Sequence, residues 1–199
     1  MKKSCLNVPN ALSILRVCLV PAFVAAALLM RDMEIWGAVV PAIIYVITAL
    51  TDMLDGKIAR KYNLVTDFGK FIDPLADKFM VLSAMTTLVV LIALRGDTTE
   101  AVVFLCVTLL ILFRELAVTS LRLVVAGKSG IVVAASIFGK LKTVSQMVGT
   151  VAIILEPVLF TFDANHIIAY VLMGIMSFTT VFSGIDYMRA YLPYIDTNS

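Results

Sequence analysis

Long apolar segments separated by short polar ones dominate this chain of 199 residues. A helix needs about 20 mostly apolar residues to cross the hydrocarbon core of a bilayer. Six segments meet this requirement, and polar residues at their ends predict helices that project beyond the membrane. We place the six spans near residues 12–30, 35–56, 71–94, 100–125, 137–159 and 165–188.

The composition agrees with this pattern, because 61% of the residues are hydrophobic and only 15% are charged. Soluble domains are about half apolar and a quarter charged. We therefore predict an all-α integral membrane protein with six transmembrane helices, forming a single domain over residues 1–199. The opening residues allow a short N-terminal interfacial helix, although Pro9 interrupts any continuous helix there. Arg16 interrupts the first apolar run, so we expect this segment to be retained and not cleaved as a signal peptide.

Basic residues are concentrated at one side of the predicted bundle. The opposite side has only Arg31 and Arg95 in its connections. Because cytoplasmic loops carry an excess of Lys and Arg, we expect both termini and two basic connections in the cytoplasm. The residues on that side are Lys2, Lys3, Arg16, Lys57, Arg60, Lys61, Lys70, Arg122, Lys128, Lys140, Lys142 and Arg189.

Four aspartates lie near the predicted cytoplasmic edge. Asp52 and Asp55 are three residues apart near the end of span two, and Asp73 and Asp77 are four apart near the start of span three. Each spacing puts two carboxylates on one helix face. The short connection predicts that these helices are antiparallel neighbours. Four close carboxylates repel one another unless cations intervene, and all-oxygen ligands suit Mg²⁺ or Mn²⁺. Two such ions suit a displacement at phosphorus.

Small and basic residues flank these aspartates. Gly56, Ala59 and Gly69 remove side-chain bulk, so that a ligand could approach the helix backbone. Arg60 has the geometry to bind a diphosphate with two hydrogen bonds. Asp67 precedes the third helix and is predicted to be its N-cap.

These residues follow a long fixed pattern, D-x-x-D-G-x-x-A-R, then eight residues, then G-x-x-x-D-x-x-x-D. The pattern resembles that of the CDP-alcohol phosphotransferase family, and the six-span layout is similar as well. The segments NVPNALSILRV, GKFIDPLADK, FRELAVTSLR and GKLKT resemble those of bacterial members that use glycerol 3-phosphate as the acceptor. The residues that match the family pattern are Asp52, Asp55, Gly56, Ala59, Arg60, Gly69, Asp73 and Asp77.

The resemblance implies a reaction and a role for each of these residues. It implies transfer of the phosphatidyl group of CDP-diacylglycerol to sn-glycerol 3-phosphate, giving phosphatidylglycerophosphate and CMP. It also implies a homodimer in the bacterial inner membrane, among membrane lipids, with no nucleic acid as a partner. Asp52, Asp55, Asp73 and Asp77 are expected to bind two ions, with Asp77 also acting as general base. Gly56, Ala59, Arg60 and Gly69 are expected to line the cytidine diphosphate site, with further nucleotide contacts from Thr66, Asn10 and Ser13.

An anionic acceptor requires a cationic site, and the later spans supply candidates. An arginine inside a span, such as Arg114, is costly and is by default functional. Lys140 and Lys142 begin span five with a spacing that points them to different sides; we predict Lys140 inward and Lys142 toward lipid headgroups. The predicted acceptor-phosphate ligands are therefore Arg114, Arg122 and Lys140. The alternatives are an ion pair between Arg114 and Glu115, and ordinary membrane anchoring for the other bases.

Two other functions remain open from the sequence. The same chemistry could use another acceptor, such as inositol phosphate, because the aspartate pattern does not discriminate between acceptors. A membrane cation transporter would use carboxylates as an ion path, but it predicts acidic residues deep in several spans. The aspartates cluster at one edge instead, which favours the transferase.

Overall fold

A computed structural model describes residues 8–61, 66–129, 137–159 and 166–194, with the backbone alone for residues 8, 9, 52–61, 67, 70, 126, 128, 129 and 193. Within these ranges the secondary structure is entirely helical, and a short 3-10 turn follows the last helix at Leu192–Tyr194. This confirms the predicted all-α class. The six helices are α1 (Val8–Leu29), α2 (Trp36–Lys61), α3 (Asp67–Leu94), α4 (Thr98–Ser129), α5 (Ile137–Leu159) and α6 (Ile167–Tyr191).

Five of these helices are long and apolar enough to cross a membrane, counting only the residues that the structure describes. The apolar part of α2, Trp36–Thr51, is shorter, and its helical backbone continues to Lys61. The protein is therefore a multi-pass membrane protein. Pro9 lies in the first turn of α1, where its missing N–H costs nothing, so it does not interrupt that helix. The predicted interfacial helix falls mainly on residues 1–7, which lie outside the described residues.

Side-chain contacts between helices show which helix ends lie together. Ser13, near the start of α1, bonds to Asp73 near the start of α3. Later pairs join the end of α4 to the starts of α3 and α5, and the start of α5 to the end of α6. They are Lys78 with Thr119, Lys142 with Glu115, Ser145 with Thr179, and Gln146 with Thr180. The starts of α1, α3 and α5 and the ends of α4 and α6 therefore form one end, which we call the aspartate end.

The opposite end gathers the turn between α3 and α4, the end of α5 and the start of α6. Its contacts join His166 to Asp97, Glu100 and Glu156, and we call it the histidine end. Asp73 and Leu94 are 21 residues apart on α3. A helix rises about 1.5 Å per residue, so the two ends are separated by about 30 Å.

Apolar side chains fill the centre of the bundle and also cover its outside. Phe104, Ile111 and Met176 are completely buried in the core between the helices. Phe113 and Leu123, in contrast, are 73% and 70% exposed. An outer surface of this kind suits contact with lipid chains and not with water. The buried polar groups inside are paired mainly with hydroxyls and helix carbonyls, as at Thr180.

Candidate active site

The start of α3 is fixed by contacts with α1. Thr66 is the N-cap of α3, since its hydroxyl accepts a hydrogen bond of 3.0 Å from the Gly69 N–H. Asn10 of α1 donates to the same hydroxyl at 2.9 Å. The prediction that Asp67 is the N-cap is therefore wrong: Asp67 is the first residue of the helix. Both residue types cap helices well, and Thr66 is the cap because its hydroxyl reaches the N–H three residues later and also bonds to α1.

Gly69 allows α1 to approach α3 closely. A Cβ atom at this position would lie 2.7 Å from the Asn10 Oδ1 and 3.3 Å from the Thr66 Oγ1. Gly69 and Asn10 are both buried. The absence of a side chain at Gly69 thus has a packing reason in the structure, beside its expected role at a nucleotide site.

The two aspartates of α3 lie just beyond this junction. The hydroxyl of Ser13, a fully buried residue, donates to Asp73 Oδ1 over 2.5 Å and fixes the direction of that carboxylate. Asp77 lies one turn further along the same face of α3. Both aspartates are partly exposed, so a ligand can reach them. A hard cation is bound by partly accessible, oriented carboxylates of this kind, and this donor set therefore fits Mg²⁺ or Mn²⁺.

Asp77 lines two small cavities, each of about 20 Å³. The first is formed with residues of α1, α2 and α5, among them Arg16, Tyr45 and Thr48. The second is formed with α4 and α5 and contains Glu115 and Lys142. Asp77 thus stands between two differently lined spaces, one of them bordered by α2.

The other predicted metal ligands and most of the cytidine diphosphate residues lie on the last turns of α2. Their helical backbone is described, but their side chains lie outside the described residues. Positions 52 and 55 follow Thr48 by four and seven residues, which puts them on the α2 face that borders the Asp77 cavity. The residues concerned are Asp52, Asp55, Gly56, Ala59 and Arg60.

Helix α1 packs extensively against both α2 and α3, whereas the described residues of α2 and α3 have only slight contact with each other. The predicted pairing of α2 with α3 concerns mainly the last turns of α2, whose side chains lie outside the described residues. Buried α1 side chains such as Ser13 and Arg16 therefore take part in the site. The sequence predicts Asn10 and Ser13 of α1 at the site but not Arg16, because the polar residues of α1 are scattered singly along an apolar run.

The predicted directions of the two lysines at the start of α5 are wrong. Lys142 is 7% exposed, and its ammonium pairs with the Glu115 carboxylate, whereas Lys140 is exposed. Glu115 also binds the Arg114 guanidinium at 3.0 Å. Lys142 therefore neutralises a carboxylate inside the bundle, next to Asp77, where an unpaired charge would be costly.

Tyr187 of α6 contacts two of the predicted basic residues, Arg114 and Arg122. The Arg114 and Arg122 guanidinium carbons lie 5.2 Å and 5.7 Å from the centre of its ring, within the range of cation–π contacts. Arg122 also donates to the Tyr187 hydroxyl at 3.4 Å. Arg114 donates to Ser183 as well, at 2.5 Å. Arg114 thus has partners inside the bundle, and one of them is Glu115, the ion-pair partner that the sequence left as an alternative. Arg122, in contrast, is exposed.

The residue before Lys140, Gly139, packs against the same tyrosine. Gly139 has so little space that a Cβ there would lie 3.2 Å from the Tyr187 ring. Two of the three predicted acceptor ligands, Arg114 and Arg122, therefore contact one aromatic side chain, and Lys140 follows a residue that packs against it. The sequence did not identify Tyr187, because a tyrosine in an apolar span has no distinguishing pattern. It also missed Glu115 and Lys142 as a pair, although an acidic residue within an apolar span is itself a signal.

Comparison with known proteins agrees with this geometry. The family model described as CDP-alcohol phosphatidyltransferase matches residues 6–182. The CDP-diacylglycerol–glycerol-3-phosphate 3-phosphatidyltransferase of Bacillus subtilis (strain 168) is 38% identical, covering 91% of this chain and 93% of the relative. An enzyme of that name from Pseudomonas fluorescens is 32% identical, covering 97% and 94%.

A third relative is described as a probable phosphatidylglycerophosphate synthase and comes from Mycobacterium tuberculosis (strain ATCC 25618 / H37Rv). It is 37% identical over 94% of this chain and 82% of its own length. These matches extend over nearly the whole chain, including the aspartate pattern and the helices that surround it. The chain belongs to the CDP-alcohol phosphatidyltransferase family.

Proposed function

We propose that this protein transfers the phosphatidyl group of CDP-diacylglycerol to sn-glycerol 3-phosphate, giving phosphatidylglycerophosphate and CMP in phospholipid biosynthesis. The names of its relatives support this reaction. The observation that carries the proposal is the position of Asp77 between two cavities, one sharing lining residues with an apolar groove and the other lined by Lys78 and Lys142. A lipid donor and a charged acceptor need such different surroundings at one reacting centre.

The lipid side is supported by a groove between α2 and α5. It has a volume of about 430 Å³ and is lined almost entirely by apolar side chains such as Val148 and Leu155. Tyr45, Ala49 and Met147 line both this groove and the Asp77 cavity. The acyl chains of CDP-diacylglycerol would lie in this groove, which brings their phosphate toward Asp77.

The acceptor side is supported by the bases around Tyr187. Arg122 and Lys140 are exposed and free to meet a soluble phosphate, while Arg114 is held behind them by Ser183 and Glu115. A planar guanidinium binds phosphate oxygens with two hydrogen bonds. We propose that Arg114, Arg122 and Lys140 bind the phosphate of the acceptor, with Tyr187 fixing the arginines.

In the proposed reaction, Asp77 takes the proton of the 1-hydroxyl of glycerol 3-phosphate. The resulting oxygen attacks the phosphatidyl phosphorus in line, a new phosphorus–oxygen bond forms, and the bond to the CMP oxygen breaks. A general base contributes on the order of 10²–10⁴-fold to such a step. Positioning of both substrates by the chain supplies a large further share.

Divalent cations complete the proposed site. Asp52, Asp55, Asp73 and Asp77 would hold two ions, Mg²⁺ or Mn²⁺, and the ions would supply neutralisation of the diphosphate charge. The bond from Ser13 to Asp73 and the α2 register at positions 52 and 55 support this ligand set. The nucleotide would contact Gly56, Ala59, Arg60 and Gly69, with the Thr66, Asn10 and Ser13 junction holding the start of α3 beside it.

We also propose the arrangement of the protein in the membrane. The aspartate end faces the cytoplasm of the bacterial inner membrane, because most Lys and Arg residues lie in its connections. Both termini are then cytoplasmic. The chain functions as one six-span domain, and two copies form a homodimer.

A CMP-release assay tests the function. Purified protein would receive CDP-diacylglycerol, Mg²⁺ and one acceptor at a time: glycerol 3-phosphate, inositol phosphate or serine. We expect release with glycerol 3-phosphate. Release with another acceptor alone would contradict glycerol 3-phosphate as the acceptor but would still support phosphatidyl transfer. Release with none of the acceptors would contradict the proposed transferase activity.

The variant Asp77→Asn tests the base. Asn keeps the size of the side chain but cannot accept the proton, so turnover should fall by at least about 10²-fold while folding is kept. The matched control is Asp32→Asn, which removes a carboxylate that is 88% exposed at the histidine end and should leave turnover unchanged. Near-normal CMP release from Asp77→Asn would exclude Asp77 as the base.

A further inference from the structure

A second group of metal-binding side chains lies at the histidine end, about 30 Å from the aspartates. It contains Asp97 from the turn after α3, Glu100 from the first turn of α4, and His166, which precedes α6. One ligand atom from each of these residues lies within 4.8 Å of the others. Nothing in the proposed transfer reaction uses these three residues.

The imidazole of His166 is oriented by a fourth residue. Its Nδ1 lies 2.9 Å from Glu156 Oε1 at the end of α5, close enough for the Nδ1–H to donate. The Nε2 atom then faces Asp97, whose Oδ2 is 3.6 Å away. Histidine ligands in metal sites have this arrangement, with one nitrogen held by a carboxylate and the other on the metal. His166 makes no capping bond to its own helix.

Two of the carboxylates are buried with oxygens that receive no hydrogen bond. Glu100 is 3% exposed and Glu156 is 4% exposed. Among the described residues, Glu100 Oε1 and Glu156 Oε2 have no donor within hydrogen-bond distance. Glu100 belongs to the cluster through its other oxygen, Oε2, which lies 3.6 Å from His166 Nδ1. Burying a carboxylate oxygen without a donor is costly, so the unpaired oxygen of Glu100, a member of the cluster, points to a cation as its missing partner.

The charges of the cluster fit a divalent cation. Three carboxylates face His166, and Arg95 is a further base that acts on Glu100. With a neutral imidazole, one divalent cation and Arg95 together balance the three carboxylates.

We propose that Asp97, Glu100 and His166 bind one Zn²⁺ ion, with Glu156 as the positioning residue of the imidazole. A nitrogen ligand with two carboxylates is a donor set that zinc accepts and that Mg²⁺ does not prefer. The ion joins the α3–α4 turn, the end of α5 and the start of α6. It is a structural site for the histidine end, separate from the proposed catalytic ions.

The chain offers a direct test, because His166 is its only histidine. Full-length protein would be purified in detergent through a tag without histidine, labelled with ¹⁵N-histidine, stripped with EDTA and supplied with Mg²⁺. One equivalent of Zn²⁺ should then move the Nε2 resonance to the position of a metal-bound imidazole and leave Nδ1 protonated. Zinc that binds without moving this resonance would lie at the aspartates, or adventitiously, and would overturn the proposal.

Variants give an independent measurement of the same site. Glu156→Gln should weaken Zn²⁺ binding, measured by competition with a chelating dye, by about 10–100-fold, as expected for a residue that orients a ligand. Asp32→Asn removes an exposed carboxylate at the same end and should leave the affinity unchanged. Equal losses in both variants would indicate a general charge effect and would overturn the proposal. CMP release does not enter either measurement, so this proposal and the proposed function can fail separately.

Discussion

The buried hydroxyl of Ser13 orients one carboxylate of the candidate site. It lies on α1, outside the aspartate pattern, yet it donates directly to Asp73. Residues that orient a metal ligand typically affect metal affinity by about 10–100-fold. We propose that Ser13 orients Asp73 in this way, in addition to the contact with the nucleotide that the sequence resemblance implies for it.

The variant Ser13→Ala tests this role. Losing the hydroxyl frees the Asp73 carboxylate to rotate, so the Mg²⁺ concentration for half-maximal CMP release should rise by about 10–100-fold. Thr86→Ala is the matched control, because Thr86 is exposed on the same α3 and its hydroxyl donates to the Leu82 carbonyl of its own helix. An unchanged Mg²⁺ dependence in Ser13→Ala would show that the hydroxyl does not position Asp73.

Single residues also show where sequence reasoning stops. The helical spacing separates Lys140 from Lys142, but it does not say which of them faces inward. That choice depends on Glu115, which lies on another helix and binds Lys142. Thr66 and Asp67 present the same difficulty, since either could cap a helix and the contact with Asn10 decides between them. Such choices come from tertiary contacts, which local pattern does not contain.

At the scale of elements, α4 and α5 are joined by buried charges. Glu115 of α4 binds both Lys142 of α5 and its own neighbour Arg114. Removing one partner of a buried ion pair leaves a charge without compensation, which costs about 3–5 kcal/mol. The helix positions could be predicted from apolar runs. The ion pair between Glu115 and Lys142 could not, because it depends on which residues of the two helices face each other.

A double-mutant cycle on Glu115 and Lys142 tests this ion pair. Glu115→Gln should lower the free energy of unfolding by about 3–5 kcal/mol, because Lys142 remains buried without its carboxylate. Lys142→Met should cost less, since Glu115 keeps Arg114. The double variant should be more stable than the sum of the single losses predicts, by about 0.5–3 kcal/mol. Unfolding in mixed micelles with increasing SDS measures these values, and strictly additive losses would contradict the ion pair.

At the scale of the whole molecule, the sequence predicts the bundle well and its internal neighbours less well. Apolar length alone determines the six helices, and the fixed aspartate pattern identifies the family. The position of α1 against both α2 and α3 was not predictable, because the sequence of an apolar helix does not indicate which helices it packs against. The same holds for the histidine end, where Asp97, Glu100 and Glu156 from two separate parts of the chain meet around His166.

The direction of the bundle in the membrane is the remaining property at this scale, and cysteine labelling tests it. The native residues Cys5, Cys18 and Cys106 would first be replaced by serine. Single cysteines would then be placed as Asp32→Cys, at the histidine end, and as Lys140→Cys, at the aspartate end. Both positions are exposed, so access depends on the side of the membrane.

A maleimide that does not cross membranes should label Asp32→Cys, and not Lys140→Cys, when it is added to intact spheroplasts. Lysis should expose both positions equally, which controls for the reactivity of each thiol. The positive-inside rule requires this direction, because the basic connections belong to the aspartate end. Labelling of Lys140→Cys in intact spheroplasts would show that the bundle has the opposite orientation in the membrane. With the expected result, soluble glycerol 3-phosphate reaches the bases around Tyr187 from the cytoplasm, and the His166 cluster faces the other compartment.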